Sequence, residues 1–329
     1  MFSILKVDYP PNYYEVLVVD NASEDGSVEY LRKSFPSVRV IKLGKNYGFG
    51  KAANCGAKQA KGEILVFLNN DTIVDRAWLR EIVKPFIENK RVAVCGSRVK
   101  SIDNPEVDQY AGGFLNMLGG GLFYPFHGKA PSREHYLVGC IHGASFAIRK
   151  RVFDEVGGFD EDYFMYSDEG DLCHRVALCG YFIAYSPKSI VYHYGGGTAG
   201  ILDKDFQNPF KGRIRSHLRI YYGNRNSLVN LLKNLNIKNM TIGFFLSILY
   251  YLFQLLCLLK MRDSLGIKYL LKSLFHVIIN LRRIFSKRVT IQIKRKVRDQ
   301  ELIKQKVLLT NTWLLRLSIA KLKHRLNAS

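Results

Sequence analysis

The stretch Leu65-Val66-Phe67-Leu68-Asn69-Asn70-Asp71-Thr72 decides the fold of this chain. The apolar run over residues 64–68 predicts a short strand buried on both faces, as in a parallel sheet. The run ends at Asn69-Asn70-Asp71, and ligands of open α/β sheets bind beyond the carboxyl ends of strands. Because carboxylate and amide oxygens suit a hard cation, we predict a divalent cation site at Asp71. A plain turn that caps the next helix is the alternative, although Asp75 is also available for capping.

The net charge of +21 belongs to the last part of the chain. Residues 1–200 carry 23 Lys and Arg against 23 Asp and Glu, whereas residues 201–329 carry 26 against 5. This asymmetry predicts a neutral globular unit followed by a basic segment that meets an anionic surface. The six cysteines form no C-x-x-C pair and no zinc spacing, so we expect reduced core residues in a cytosolic compartment.

Predicted strands and helices alternate in the first hundred residues. The strands fall at 14–19, 38–41, 64–68 and 92–95, and helices follow the first three, through Tyr30 and Leu31, at about 51–60 and at about 76–88. Such alternation predicts an α/β fold with a doubly wound, mostly parallel sheet. Residues 101–138 are rich in glycine and aromatic residues with weak periodicity, which is typical of functional loops. Further strands are predicted at 139–149, 181–185 and 190–192.

Six motifs follow one another between residues 18 and 193. They are Val18-Val19-Asp20-Asn21-Ala22-Ser23-Glu24-Asp25-Gly26-Ser27, Asn46-Tyr47-Gly48-Phe49-Gly50 with Asn54, Leu68-Asn69-Asn70-Asp71-Thr72, Gly157-Gly158-Phe159-Asp160-Glu161, Ser167-Asp168-Glu169-Gly170-Asp171-Leu172 and Val191-Tyr192-His193. In this order they resemble family 2 glycosyltransferases of the GT-A fold, close to the rhamnosyltransferase-like group. The resemblance implies a GT-A domain in residues 1–200 and inverting transfer of a sugar from a nucleoside-diphosphate sugar to a hydroxyl group.

The resemblance also implies roles for individual residues. Nucleotide-sugar binding is implied for Asp20, Asn21, Asp25, Asn46, Gly48, Asn54, Asn69, Asn70 and Asp71. Asn69-Asn70-Asp71 resembles the D-x-D metal motif with Asn in place of its first Asp, so Asp71 would bind Mg²⁺ or Mn²⁺ together with His193. Glu169 would be the general base, and Asp168 is its rival because the acidic pair stands in the reverse of the commoner Glu-Asp order.

The chemistry of sugar transfer agrees with two separate acidic sites. A divalent cation neutralises charge that develops on the leaving nucleoside diphosphate, and a carboxylate accepts the proton of the attacking hydroxyl. Simpler explanations exist for each group. Acids such as Asp168, Glu169 and Asp171 are favoured in the first turn of any helix, and His193 alone resembles an ordinary strand-end histidine. The glycines at 195–197 suit either a connector or a lid over the diphosphate.

The N-terminus departs from the family pattern. Family members usually begin with an apolar strand and helix ahead of the strand at 16–19, and that first strand lines the nucleotide site. Here residues 1–5 resemble only the end of that helix. We therefore expect the first strand of the fold to be missing from this sequence, with reduced stability and reduced binding of the sugar donor.

The basic end is predicted to be helical and bound to a membrane, with residues 201–238 as a linking helix and 239–329 as the membrane-associated region. Residues 239–259 contain no charged side chain, and as a helix they would span about 31 Å, which is one bilayer core. Basic clusters on both sides disfavour a single crossing. We expect helices in the cytoplasmic interface, with Lys268, Lys272 and Lys287 near anionic headgroups. A re-entrant hairpin at 240–281 and a soluble basic subdomain are the alternatives, and the stretch from Trp313 to Leu326 again suits an interface.

The sequence suggests three candidate functions. The leading one is a metal-dependent glycosyltransferase acting on a lipid-linked or polysaccharide acceptor. The second is a catalytically degenerate protein that serves as a basic membrane-binding scaffold, which the joint presence of Asp71, Glu169 and His193 disfavours. A nucleotidyltransferase would need a basic glycine-rich first loop, whereas this loop is acidic. We expect no nucleic acid partner, because the basic residues flank apolar helices instead of alternating with aromatic residues on a platform.

Overall fold

The computed structural model describes residues 1–123, 136–194 and 217–310. The strands are β1 (Leu17–Asp20), β2 (Arg39–Lys42), β3 (Ile64–Leu68), β4 (Thr72–Val74), β5 (Val92–Ser101), β6 (Asp108–Tyr110), β7 (Gly113–Asn116), β8 (Gly121–Phe123), β9 (Tyr136–Val138), β10 (Ser145–Arg149), β11 (Phe182–His193) and β12 (Leu308–Leu309). The helices are α1 (Ser27–Ser34), α2 (Phe49–Gln59), α3 (Trp78–Glu88), α4 (Lys150–Val156), α5 (Asp168–Leu178), α6 (His217–Asn234), α7 (Ile237–Lys260), α8 (Ser264–Ile279), α9 (Leu281–Lys294) and α10 (Asp299–Lys304).

The main sheet has seven strands, with β3, β10, β5, β11 and β4 side by side, β6 added to β5 and β9 added to β11. The α/β class and the helical C-terminal region are confirmed, but the strand directions differ from a mostly parallel sheet. Among the described pairs of neighbouring strands in this sheet only β5 and β11 are parallel, whereas β10 is antiparallel to both β3 and β5. The reason is that no described helix lies between β5 and β10, and a strand that is not preceded by a crossover helix returns antiparallel.

Strands β1 and β2 form a separate parallel pair. Among the described residues neither strand pairs with the main sheet, so the sheet is divided between β1 and β3. Side chains of β1 and β3 line one deep cleft.

The C-terminal helices belong to the same core as the sheet. Leu228 and Leu231 of α6 and Leu308 of β12 share one buried cluster with Phe146 of β10. Strand β12 pairs in parallel with β7 and completes a three-stranded sheet. The segment predicted to link two units therefore contains helix α6, whose buried side chains belong to the same core as the sheet. Residues 201–216, Gly195–Gly197 and the stretch from Trp313 to Leu326 lie outside the described ranges.

Helix α7 has an unusual distribution of side chains for a helix in water. Its stripe that faces the protein includes Asn239, Gly243, Ser247 and Tyr251, which follow one another every four residues. Its outward face carries exposed leucine, isoleucine and phenylalanine side chains, and helices α8 and α9 extend this surface. By length and composition α7 is the one described helix that could span a membrane by itself. Helices α8 and α9 are long and apolar enough only when taken together, and they are bent by 64° relative to each other.

Candidate active site

Strand pairing places the predicted metal-binding residues next to each other. After β3, residues 69–71 form a tight turn into β4, and Thr72 Oγ1 donates a hydrogen bond to the Asn69 carbonyl at 2.6 Å. Strand β4 pairs with β11 in a register that sets Thr72 opposite His193. The Nε2 atom of His193 consequently lies 3.3 Å from Oδ1 of Asp71.

Gln109 on β6 fixes the orientation of the His193 ring. Its Nε2 atom donates to the carbonyl oxygen of His193 at 3.3 Å, which leaves Oε1 facing Nδ1 of the same residue at 3.0 Å. An amide oxygen only accepts, so Nδ1 carries a proton and donates it. The lone pair of Nε2 in the neutral ring then points to the Asp71 carboxylate, which is an arrangement that a shared proton or a cation stabilises.

Asp71 and His193 fit the implied divalent cation. An imidazole nitrogen and a carboxylate oxygen 3.3 Å apart are able to bind the same ion, and Mn²⁺ accepts both atom types. Within the described ranges no group of three or more His, Cys, Asp and Glu side chains is arranged around one metal position. The two residues therefore suit an ion that takes its other ligands from water and substrate phosphates, as Mg²⁺ commonly does.

The acidic pair lies at the start of α5. The Asp168 side chain is buried, and its Oδ2 atom has no hydrogen-bond partner among the described residues. The carboxyl carbon of Glu169 lies 3.7 Å from the position that a Cβ atom would take on Gly143. Burial, followed by the charge of Asp168 and a hydrogen bond to it, raises the pKa of Glu169 well above its usual range. Burial also raises the pKa of Asp168, so both carboxyls of the pair bind a proton more tightly than free carboxyls do.

Asp171 has a structural role one turn further along α5. Its carboxylate is fully buried and binds Arg175 at 2.8 Å, Lys233 at 3.0 Å and Nδ2 of Asn234 at 2.9 Å. Arg175 and Lys233 overcome the cost of burial and lower the pKa of Asp171. The three acids in the first turn of α5 have different environments. The helix dipole alone therefore does not explain why this turn contains them.

Of the residues assigned to the nucleotide, Asp20, Asn21 and Asn46 line the cleft beside β1 and the turn at Gly48. Asp20 is buried at the end of β1, where Oδ1 accepts from the Ser23 amide at 3.1 Å and Oδ2 has no partner among the described residues. Asn21 and Asn46 bind each other at 2.9 Å, and Asn21 also accepts from the Tyr47 amide. The free acceptor on Asp20 is suited to a base or ribose donor group, whereas the two amides hold the adjacent turns together.

Gly48 is required by the backbone at that turn. Its φ angle is +83°, and a Cβ atom would lie 2.5 Å from the carbonyl oxygen of Phe164. The turn therefore packs directly against the segment that leads to Asp168. Gly48 shapes the cleft wall through this contact.

Asn54 is the one residue assigned to the nucleotide that does not line the cleft. Its amide is buried, donates to the carbonyl of Phe159 at 2.9 Å and accepts from the amide of the same residue. Asp25, Asn69 and Asn70 do line the cleft, and Asp25 also accepts from the backbone of Ser27 at 3.0 Å. The motif that contains Asn54 thus serves packing of α2 against the glycine turn at 157–159.

Four cleft residues were not singled out from the sequence: Gln109, Tyr110, His142 and Arg219. The rings of Tyr110 and His142 stack at 3.6 Å, and the His142 ring lies 6.0 Å from that of His193. Burial and the neighbouring His193 lower the pKa of His142 to about 3, so this imidazole stays neutral. These residues connect the metal-binding pair to the acidic pair.

All of these groups except Asn54 and Asp171 border one cleft of about 2300 Å³. It runs from β1 and the Asp20 turn, past Asp71, His193 and Glu169, to helices α6 and α7. The cleft is large enough for a nucleotide, a sugar and an acceptor together. Its acids and its candidate cation site can therefore act on the same substrates.

The chain is similar in sequence to known glycosyltransferases. The glycosyl transferase family 2 profile matches residues 2–157. The N-acetylglucosaminyl-diphospho-decaprenol L-rhamnosyltransferase of Mycobacterium tuberculosis is 27% identical over 210 residues, which cover 56% of this chain and 68% of that protein. The O-antigen biosynthesis protein RfbC of Myxococcus xanthus is 30% identical over 200 residues, which cover 56% of this chain but only 15% of that protein.

Similar solved structures include two complexes with Mn²⁺. The structure of GalNAc-T7 with UDP, GalNAc and Mn²⁺ matches with a TM-score of 0.49 at 21% identity, covering 58% of this chain and 39% of that one. The mannosyltransferase PcManGT of Pyrobaculum calidifontis with GDP-Man and Mn²⁺ matches with a TM-score of 0.48 at 16% identity, covering 89% and 80%.

Proposed function

The chain belongs to the family 2 glycosyltransferases, and we propose that it transfers a sugar, with inversion, from a nucleoside-diphosphate sugar to a hydroxyl group of a lipid-linked glycan at the cytoplasmic face of a membrane. The observation that carries the proposal is the shared cleft. Asp71 and His193 lie 3.3 Å apart, and the same cleft is lined by Asp168 and Glu169. Rhamnose is the sugar that the mycobacterial relative's name suggests.

Each group has a defined task in this reaction. Asp71 and His193 would hold Mg²⁺ or Mn²⁺, and the bound ion would neutralise charge on the leaving diphosphate. Asp20 offers its free carboxylate oxygen to the nucleotide. The Asp168–Glu169 pair takes the proton from the acceptor hydroxyl, with Glu169 as the proposed base and Asp168 as the partner that raises its proton affinity.

A membrane partner is supported by the surface of the C-terminal helices. Leu249 and Phe253 of α7 are 61% and 62% exposed, while the same helix turns Ser247 and Asn239 to the protein. An apolar surface that continues over α8 and α9 far exceeds the scattered apolar residues of a water-exposed protein. Because lysine and arginine residues accompany these helices, the proposed partner is an anionic lipid surface, with the helices lying in its interface.

A screen of sugar donors tests the proposed reaction. Purified protein with Mn²⁺ or Mg²⁺ is incubated with a panel of nucleotide sugars, and slow release of free nucleoside diphosphate identifies the sugar donor. We expect Asp71→Ala and Glu169→Ala each to abolish turnover, and only Asp71→Ala to weaken metal-dependent nucleotide binding.

The same screen separates the enzyme from a degenerate scaffold. A scaffold would bind vesicles but release no nucleoside diphosphate from any nucleotide sugar. Normal turnover in both variants would instead show that the chemistry resides elsewhere in the chain.

A further inference from the structure

The turn that leads into the acidic pair has a strained backbone. Tyr166 and Ser167 have φ angles of +65° and +63°, and among the described residues they are the only consecutive pair of non-glycine residues with a positive φ. Residues with a side chain rarely adopt this left-handed region, so other contacts have to hold them there. Helix α5 begins at the next residue. The direction in which Asp168 and Glu169 leave the backbone therefore depends on this turn.

The side chain of Asn226 on α6 binds the backbone of the turn. Its Nδ2 atom donates to the carbonyl oxygen of Met165 at 2.8 Å and to that of Tyr166 at 2.7 Å. These two carbonyls belong to the peptide planes on either side of the Tyr166 α-carbon. Because Asn226 is only 1% exposed, both hydrogens of its amide are used inside the protein. One buried amide thus fixes both planes and, through the second plane, also acts on the φ angle of Ser167.

Arg225 fixes the Asn226 amide in the orientation that this contact requires. Its Nε atom donates to Oδ1 of Asn226 at 2.7 Å, and a guanidinium group cannot accept a hydrogen bond, so Nδ2 has to face the turn. The Nη2 atom of Arg225 donates to the carbonyl of Asp162 at 3.0 Å, and the guanidinium lies 4.8 Å from the ring of Tyr222. Arg225 therefore connects α6 to the beginning of the segment whose end Asn226 holds.

These two side chains lie behind the cleft wall. Residues 164–170 line the cleft without interruption, and so do Asn224 and Ser227 of α6, whereas Arg225 and Asn226 are not part of its described lining. A substrate in the cleft consequently meets the turn and the acidic pair but not the two side chains that support them. An effect of Arg225 or Asn226 on the reaction has to pass through the turn.

We propose that Asn226 and Arg225 are positioning residues for the general base. Asn226 holds the left-handed turn before the acidic pair in place, and Arg225 holds the Asn226 amide. The inference rests on the proposed function, because it concerns the carboxyl pair that takes the proton from the acceptor hydroxyl there. Apolar side chains of similar size would fill the space behind the turn but would leave both of its carbonyls without a donor.

A pair of leucine substitutions tests the proposal. Asn226→Leu keeps most of the side-chain volume but removes both donors, and we expect kcat with the nucleotide sugar that the donor screen selects to fall by roughly 10²-fold while KM is nearly unchanged. Asn239→Leu on α7 is the matched control, because this buried amide donates to Asp299 at 2.7 Å and not to the turn. It should lose stability through its own missing hydrogen bond but keep its kcat. Equal losses of kcat in the two variants, or none in Asn226→Leu, would overturn the proposal.

Relief of the backbone strain provides a second test. Glycine adopts positive φ angles as readily as negative ones, so Ser167→Gly reduces the need for an outside contact to hold this residue. We expect Ser167→Gly to restore a large part of kcat when it is added to Asn226→Leu, with Ser167→Gly alone as the reference. The same change should not raise kcat when it is added to Asn239→Leu. A double variant at positions 167 and 226 that shows no recovery would contradict the role of the turn.

Hydrogen–deuterium exchange reports the turn without any turnover. We expect the amides of residues 165–170 to exchange faster in Asn226→Leu and in Arg225→Met, which frees the Asn226 amide to rotate, but not in Asn239→Leu. Faster exchange together with an unchanged kcat would overturn the positioning role alone.

Binding of UDP and GDP with Mn²⁺ separates this inference from the proposed function. It should be the same in these three single variants as in the unmodified chain, because none of the substituted side chains belongs to the described lining of the cleft. An unmodified chain that binds neither nucleotide and releases no nucleoside diphosphate from any nucleotide sugar would reject the proposed function, and with it the base. Exchange at residues 165–170 would then still show whether Asn226 holds the turn.

Discussion

At the scale of single residues, two neighbouring carboxyls with raised pKa values, Asp168 and Glu169, are the candidates for the base. We expect Glu169→Gln to lower turnover by about 10²-fold or more, whereas Asp168→Asn retains measurable turnover. Loss of the Asp168 charge lowers the pKa of Glu169, so the acid limb of the pH profile moves to lower pH in that variant. The pH dependence of kcat/KM for both variants shows which carboxyl is the base. An active Glu169→Gln variant together with an inactive Asp168→Asn variant would assign the base to Asp168.

The raised pKa of Glu169 also has a consequence for stability. The folded chain binds this proton more tightly than the unfolded chain, so the carboxyl favours folding below its unfolded pKa and loses that contribution as pH rises towards the folded value. Glu169→Gln mimics the protonated form at every pH. We therefore expect its melting temperature to exceed that of the unmodified chain at pH 8 and to equal it near pH 4, as thermal unfolding at both pH values would show.

Gln109 offers a test of the candidate cation site that does not depend on turnover. Gln109→Leu removes the acceptor for Nδ1 of His193, and we expect Mn²⁺ affinity, measured by electron paramagnetic resonance, to fall by about 10- to 100-fold. Gln109→Glu keeps an acceptor and serves as the matched control, with affinity near that of the unmodified chain. Equal affinities in all three proteins would show that Gln109 does not orient the ring.

The sequence pointed to the acids and the histidine of the candidate site but not to the residues that contact them. Asp71, Glu169 and His193 stand in recognisable motifs at the ends of predicted strands or at the start of a helix. Gln109 was not singled out because its partner is 84 residues away, and nothing local marks that contact. For Asn54 the motif implied a contact with the nucleotide, whereas in the structure its amide binds the backbone of Phe159.

At the scale of elements, a buried ion cluster joins α6 and α9 to the segment before α5. Lys233 of α6 is 1% exposed and binds Asp160 and Asp171, while Lys287 of α9 binds Asp160 and, at 2.6 Å, Asp162. Burial opposes ionisation of Asp160, but the two ammonium groups outweigh it and hold its pKa below the usual range. The cluster thus ties the C-terminal helices to the chain segment that carries the acidic pair.

Removal of Lys233 is expected to be strongly destabilising. Lys233→Met removes one fully buried cation from both Asp160 and Asp171 at a cost of about 3–5 kcal/mol, whereas Lys287→Met affects a half-buried pair and costs less. Denaturant unfolding at neutral pH measures the difference. Because the pKa of Asp160 is lowered, its contribution exists above the unfolded pKa and disappears as pH falls, so the two variants should converge in acid.

Elements were predictable from the sequence only where local periodicity is strong. The strands β2 and β3 and the helices α2 and α3 lie within a few residues of their predicted bounds. The four described strands between residues 101 and 138 were missed because they are three or four residues long, which is too short for a clear alternation of side chains. The direction of β10 was missed because it depends on the path of the chain and not on local side chains.

At the scale of the whole molecule, the apolar surface of α7 is expected to hold the protein on lipid. Leu249→Asp together with Phe253→Asp places two charges on the outer face, and we expect this variant to lose flotation with vesicles that contain anionic lipid. Ile87→Asp on α3, where the side chain is 77% exposed, is the matched control and should float normally. Flotation of both variants would place the lipid contact elsewhere.

The pairing of β12 with β7 bears on how the chain is made. Leu115 of β7 donates to the carbonyl of Val307, and Leu308 lies opposite Leu115 in the register. A ribosome has to synthesise nearly two hundred further residues, including the whole apolar surface of α7 to α9, before β12 can pair with β7. The apolar helices are therefore made while the sheet of β7, β8 and β12 is still incomplete.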